Sequence, residues 1–113
     1  MQLKSVYRIT VFVPHDALRA VIDTIKTICP LGDEHYDSVL WYLEDVREEF
    51  RPLPGAKPAR GDIGDLHQEP VAMLIFAIPR DENLLRTVIE QGVKPKHPWE
   101  EPGIFVEASL IPE

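Results

Sequence analysis

The sequence predicts a single α+β domain made of two copies of one β-α-β half, and three features carry that prediction. A unit of strand, proline, helix cap and amphipathic helix is written twice, once from Val6 and again from Met73. The two helices echo each other in residue type, with Arg19-Ala20-Val21-Ile22-Asp23 in the first and Arg86-Thr87-Val88-Ile89-Glu90 in the second. Near its end the chain carries an alternating apolar segment suited to a closing strand. Neither half buries its helix face alone, so both are expected to pack on one sheet.

In the first half, Tyr7, Ile9, Val11 and Val13 alternate with Arg8 and Thr10, a period of two that stops at Pro14. His15 and Asp16 stand where a helix cap is needed. Leu18, Val21, Ile22, Ile25 and Ile28 then recur at three- and four-residue steps, as far as Pro30 and Gly32. The segment from Tyr36 to Leu43 has two readings. Its aromatics with Val39, Trp41 and Leu43 suit a strand, while Val39, Leu43, Val46 and Phe50 also fall at helical spacing after Ser38.

In the second half, Met73 to Ile78 form the strand ended by Pro79, and Asp81 supplies the cap. Leu84, Leu85, Val88 and Ile89 make the buried stripe ahead of Gly92. Ile104, Val106, Ala108 and Leu110, alternating with Phe105, Glu107 and Ser109, give the last strand. Between the halves, Arg51 to Gly64 hold three prolines and three glycines, too many breakers for a helix or a central strand. A long ordered loop is expected there, and loops of this length in compact domains commonly carry function.

Composition narrows the function. With 113 residues, 44% of them apolar and 27% charged, the chain is expected to form one domain over residues 1–113, with no run long enough to span a membrane. Lys4 and Arg8 break any secretory core near the start, so a cytoplasmic protein is expected. Cys29 is the only cysteine, which excludes an internal disulfide and reads as a small core residue. A net charge of -7 repels phosphate backbones, so nucleic acid is not an expected partner.

Catalytic motifs are missing. No Gly-x-Ser-x-Gly, P-loop or Gly-x-Gly-x-x-Gly occurs, and Gly61-Asp62-Ile63-Gly64 places an acid where a phosphate cradle needs bare amides. A non-enzymatic protein is expected. Two segments stand out as candidate sites. His97-Pro98-Trp99-Glu100-Glu101-Pro102 gathers one imidazole and two carboxylates, so His97, Glu100 and Glu101 are candidate ligands for a divalent metal. The same segment also reads as a structural turn braced by Pro98 and Pro102, with Trp99 as packing anchor. In the loop, Arg51, Lys57 and Arg60 form a positive tip, which reads as charge that keeps the loop solvated or, with Gly55, Gly61 and Gly64, as candidate contacts for a small anionic ligand. His15, His35 and His67 read as surface or hydrogen-bonded histidines, and the acidic run Asp33 to Glu49 as a solvated face.

Tyr36-Asp37, the run Phe50 to Pro58, Gly61 to Leu66, and His97 to Pro102 together resemble the CutA/PII-like domain that interrupts the metal-binding core of the Nif-three-like, or cyclohydrolase-like, family. The resemblance extends from Val6 to Ile111 and suggests a stand-alone version of that inserted domain. It implies a ferredoxin-like βαββαβ fold: an antiparallel sheet, two helices on one face, and a long loop after the second strand. It favours the strand reading of Tyr36 to Leu43. It further implies a small-ligand or anion-binding regulatory module, with CutA-like metal binding or a protein interaction domain as alternatives, and a trimeric or dimeric homo-oligomer. Three departures from the family pattern stand out: Glu44 to Glu49 in place of a Gly/Ser/Thr-rich turn, Trp99 for tyrosine, and extra residues from Gly92 to Lys96.

Overall fold

A computed structural model describes residues 1–113. Strand β1 (Leu3–Pro14) leads through a 3-10 turn (His15–Ala17) into helix α1 (Leu18–Ile28), and β2 (Trp41–Phe50) follows. After the loop come β3 (His67–Pro79), helix α2 (Glu82–Thr87) and β4 (Gly103–Pro112). The four strands form one antiparallel sheet in the order β2-β3-β1-β4. This is the mixed α+β, ferredoxin-like arrangement that the duplicated unit predicts: each helix carries the chain over one intervening strand. No helix is long and apolar enough to cross a membrane.

The pleat explains where the core lies. Ile9, Val11 and Val13 of β1 and Ala72, Leu74, Phe76 and Ile78 of β3 project to one face, where Leu18, Val21, Ile22 and Ile25 of α1 meet them. Each such side chain contributes roughly 1.5–3 kcal/mol when fully buried, so this central pair of strands dominates stability. Cys29 belongs to the same cluster, as a small core residue.

Several local expectations are corrected. Asp16 caps nothing: α1 begins without a side-chain cap, and the Asp16 carboxylate instead lies 3.6 Å from Arg60. Asp81, by contrast, accepts from the Asn83 and Leu84 N–H groups. Strand β2 starts at Trp41, so Tyr36 to Leu40 are connection, and Glu44 to Glu49 are strand where the family pattern has a turn. Gly92 does not stop the second helix. The chain continues through a π-helical stretch (Val88–Val93) and a 3-10 turn (Lys94–Lys96), which absorb the extra residues. A Cβ on Gly92 would meet Ile28 Cδ1 at 3.3 Å and the Ile25 Cα at 3.4 Å, so glycine sets the approach of the two helical segments.

His97 fixes the crossing from that helix to β4. Its Nε2–H donates to the Phe12 carbonyl at 2.7 Å, and its Nδ1 accepts from the Trp99 N–H at 3.2 Å. Both nitrogens are therefore satisfied only by the neutral ring. Burial holds the imidazole pKa below its ordinary value, against the Phe12 bond that favours a proton.

Two predictions follow from these contacts. His97→Ala leaves the Phe12 carbonyl and the Trp99 amide without their partner and is expected to cost about 2 kcal/mol in denaturant unfolding, whereas Gly92→Val, through overpacking against Ile25, is expected to cost a similar amount. Because the folded pKa of His97 lies below the unfolded one of about 6.5, the unfolded chain takes up the extra proton, and this part of the stability is lost as pH falls below that value. Thermal melts between pH 8 and pH 5 should therefore show a steeper acid loss for the wild type than for His97→Gln; equal slopes would count against the buried neutral imidazole.

Candidate functional site

Strands β2 and β3 end as a pair, with Phe50 opposite His67, and the 51–66 loop springs from that pair. The rings at its base form a row. Phe50 lies 5.1 Å from His67 and 5.7 Å from Trp99, and Trp99 lies 5.6 Å from His97. Offset and tilted aromatic contacts at such distances add to simple area burial. The His97–Pro102 turn is thereby fastened to the root of the loop.

The loop itself is held by its own backbone. The Gly64 N–H donates to the Pro52 carbonyl at 2.7 Å, Ala56 N–H to Leu53 at 3.0 Å, and Asp65 N–H to Asp62 at 3.1 Å. Gly55 and Gly64 sit at φ of 100° and 86°, a region that L side chains rarely adopt, so these turns require glycine. Two further ties reach outward. The Lys57 N–H donates to Glu100 Oε1 at 3.2 Å, and Arg60 lies 3.1 Å from Glu69 and 3.6 Å from Asp16.

Loop and turn enclose a cleft of about 650 Å³, a size common among small-molecule sites. Of the residues singled out in the sequence, Arg51, Gly55, Arg60, Trp99, Glu100 and Glu101 line it, while Lys57, Gly61, Gly64, His97, Pro98 and Pro102 do not. Two segments noticed separately thus become two walls of one site. Glu48 and Phe50 of β2 also line it and are not among the candidate contacts read from the sequence. The signal available for them was parity, since alternate strand residues share a face and Phe50 already headed a motif.

The charge pattern differs from the expected positive tip. Arg60 is engaged by two carboxylates, which leaves Arg51 as the cleft cation without an ion pair. Facing it are Glu48, Glu100 and Glu101. Partial burial raises the pKa of Glu48 above its ordinary value.

The candidate metal ligands are engaged in other contacts. Backbone groups occupy both His97 ring nitrogens, and one Glu100 oxygen is taken by the Lys57 amide. No three His, Cys, Asp or Glu side chains are grouped closely enough to hold an ion. The structural-turn reading of this segment is the one its contacts describe.

No protein-family model matches the sequence, and no curated protein matches it. Solved structures do. A Bacillus cereus protein related to NIF3 superposes with a TM-score of 0.76 at 20% identity, over 96% of this chain and 27% of that one. The chain therefore spans about a quarter of the NIF3-related protein. CPII, a nitrogen regulatory PII-like protein from Thiomonas intermedia K12 bound to ADP, AMP and bicarbonate, matches over 99% of this chain and 98% of its own, with a TM-score of 0.64 at 15% identity. CPII bound to ADP and bicarbonate gives 0.60 at 14% identity, over 97% and 91% of the two chains. The fold is that of a PII-like protein, shared with one part of the NIF3-related chain.

Proposed function

We propose that the chain is a non-enzymatic regulatory module that binds a small anionic ligand in the cleft between the 51–66 loop and the 97–102 turn. The observation that carries this reading is the convergence of both segments on one cleft of about 650 Å³ with Arg51 in its wall. Phe50 and Trp99 offer aromatic surface to a planar group, and Arg51 offers a fork of donors to an acid group. The PII-like neighbour is bound to ADP, AMP and bicarbonate, which makes nucleotides and bicarbonate the first ligands to test here. Gly55, Gly61 and Gly64 serve this site by shaping the loop, and Lys57 by docking it on Glu100.

Calorimetric titration of ADP, AMP and bicarbonate provides the test. Arg51→Ala is expected to weaken binding roughly tenfold, as loss of a charge-assisted hydrogen bond does, while leaving the melting temperature unchanged. The Lys57→Ala, Arg60→Ala double variant is expected to cost about 1 kcal/mol in folding, because Arg60 and its Asp16 partner are substantially exposed while Glu69, largely covered, loses its cation. No binding of any of the three by the wild type would sink the reading, and full binding by Arg51→Ala would remove Arg51 from it.

A second reading, self-association, is favoured by the sheet edges. β2 and β4 are both edge strands, and Leu43, Phe105 and Leu110 are 57%, 60% and 59% exposed. Apolar side chains along open edges favour pairing with another chain. A homo-oligomer, dimeric or trimeric, would cover them. Light scattering after size exclusion at micromolar concentration is expected to give that mass, and Phe105→Lys is expected to shift it toward monomer; a monomeric wild type would refute it.

A further inference from the structure

The opposite end of the sheet holds a second cavity, of about 690 Å³, which shares no lining residue with the cleft. Even-numbered residues at the start of β1, namely Lys4, Val6 and Arg8, point away from the helices. The register sets Ala77 beside Arg8, and Ile75 beside both Thr10 and Trp41, on that same helix-free face. The connection from α1 to β2 closes the end. Within it Leu31 and Ser38 adopt φ of 57° and 58°, unusual for residues with a side chain. The bends are held by Ser38 N–H to Pro30 and Val39 N–H to Leu31, both at 2.8 Å, and they turn Leu31 into the cavity wall and the core.

We propose that this basin is a second ligand site, for a small amphiphilic carboxylate. Its tail would lie on Val39, Trp41 and Ile75, with the nearly covered Val6 and Leu31 beneath, all of them lining the cavity. Trp41 is 60% exposed at its mouth, an apolar ring that a ligand would cover. The head group follows from charge. Lys4 makes no ion pair, and Arg8 reaches Glu107 only at 3.8 Å, with both side chains more than half exposed. Asp33 is the one acid in the lining: its Oδ1 accepts from the His35 and Tyr36 N–H groups at 2.8 and 3.0 Å, and those bonds, with a smaller contribution from nearby Lys4, keep it ionised. On a chain of net charge -7, two cations to one acid therefore border an apolar basin. An ammonium head would meet this excess of like charge, a hydroxyl would leave it uncompensated, and a carboxylate offsets it. The volume lies within the range of small-molecule sites.

Three probes with one tail and different heads test this: octanoate, octanol and octylammonium, titrated by calorimetry against the whole chain. Octanoate is expected to bind most tightly and octylammonium least. Lys4→Glu should weaken octanoate roughly tenfold and leave octanol unchanged. Ala77→Phe, which fills the basin floor, should abolish binding of all three; Trp41→Ala, at an exposed position, provides the same reading should Ala77→Phe fail to fold. Equal affinities for the three heads, affinities unchanged by these variants, or no binding at all would overturn the proposal. So would loss of self-association in Ala77→Phe without any octanoate binding by the wild type, since a second copy would then be the occupant.

Discussion

The end of the molecule that holds the cleft depends on one buried imidazole. His97 sits against the end of β1, donating to the Phe12 carbonyl and accepting from the Trp99 amide. This pair of bonds sets where the chain lands after the second helix and which way Trp99 turns. Trp99 then meets Phe50, and Phe50 meets His67, so both roots of the 51–66 loop stand on a fixed aromatic base. A buried histidine with both nitrogens paired to backbone has only one protonation state that fits, and that specificity is what a long loop without regular structure needs beneath it. The loop's own bonds, from Gly64 to Pro52 and from Ala56 to Leu53, then suffice to shape it.

Most of the fold legible in the sequence lies where one face is buried, although β4, an exposed edge strand, was legible from its alternation as well. Alternation in β1 and β3 and the stripe Leu18, Val21, Ile22, Ile25 and Ile28 all report the same core, with the first four buried and Ile28 partly so. Strand β2 was harder to read for a physical reason. It is an edge strand whose residues are exposed or only partly buried, so no apolar alternation is imposed on it. The irregularity between Leu43 and Val46 also resets its parity midway. That combination let helical spacing compete with strand spacing around Tyr36 to Leu43. Gly92 misled for the opposite reason: as a terminator signal it was sound, but its lack of a side chain serves a close approach to Ile25 and Ile28.

The candidate site was half legible. Its two segments were conspicuous because proline and glycine cluster in one, and histidine, tryptophan and acids in the other. Their meeting was not, since Lys57 and Glu100 lie 43 residues apart and are joined only by the tertiary fold. Glu48 was hidden inside an acidic run that reads as solvated surface, although its position in β2 turns it toward Phe50 and the cleft. The positive tip of the loop was legible as composition but not as free charge. Asp16, released from any capping role, and Glu69 both lie near Arg60. The proposed anion contact consequently narrows from Arg51, Lys57 and Arg60 to Arg51.

Length gives the two cavities their independence. β3 has 13 residues and so extends for about 43 Å at the usual strand rise, close to the 52 Å long axis of the molecule. The loop and turn lie at its His67 end, and the α1 to β2 connection lies at its Pro79 end. At that separation exposed charges are screened from one another by ordinary salt, so an acidic chain can keep Arg51 at one end and Lys4 with Arg8 at the other as separate local fields. What does connect the two ends mechanically is the shared central pair of strands. β1 carries Phe12, which receives His97, and also Lys4 and Arg8, which border the basin. The β1–β3 pair, hydrogen-bonded on both sides and covered by the helices on one face, is the stiffer part of the sheet. β2 supplies Glu48 and Phe50 to the cleft and Trp41 to the basin, and its solvent-facing side and local irregularity leave it freer to adjust than the strands beneath the helices.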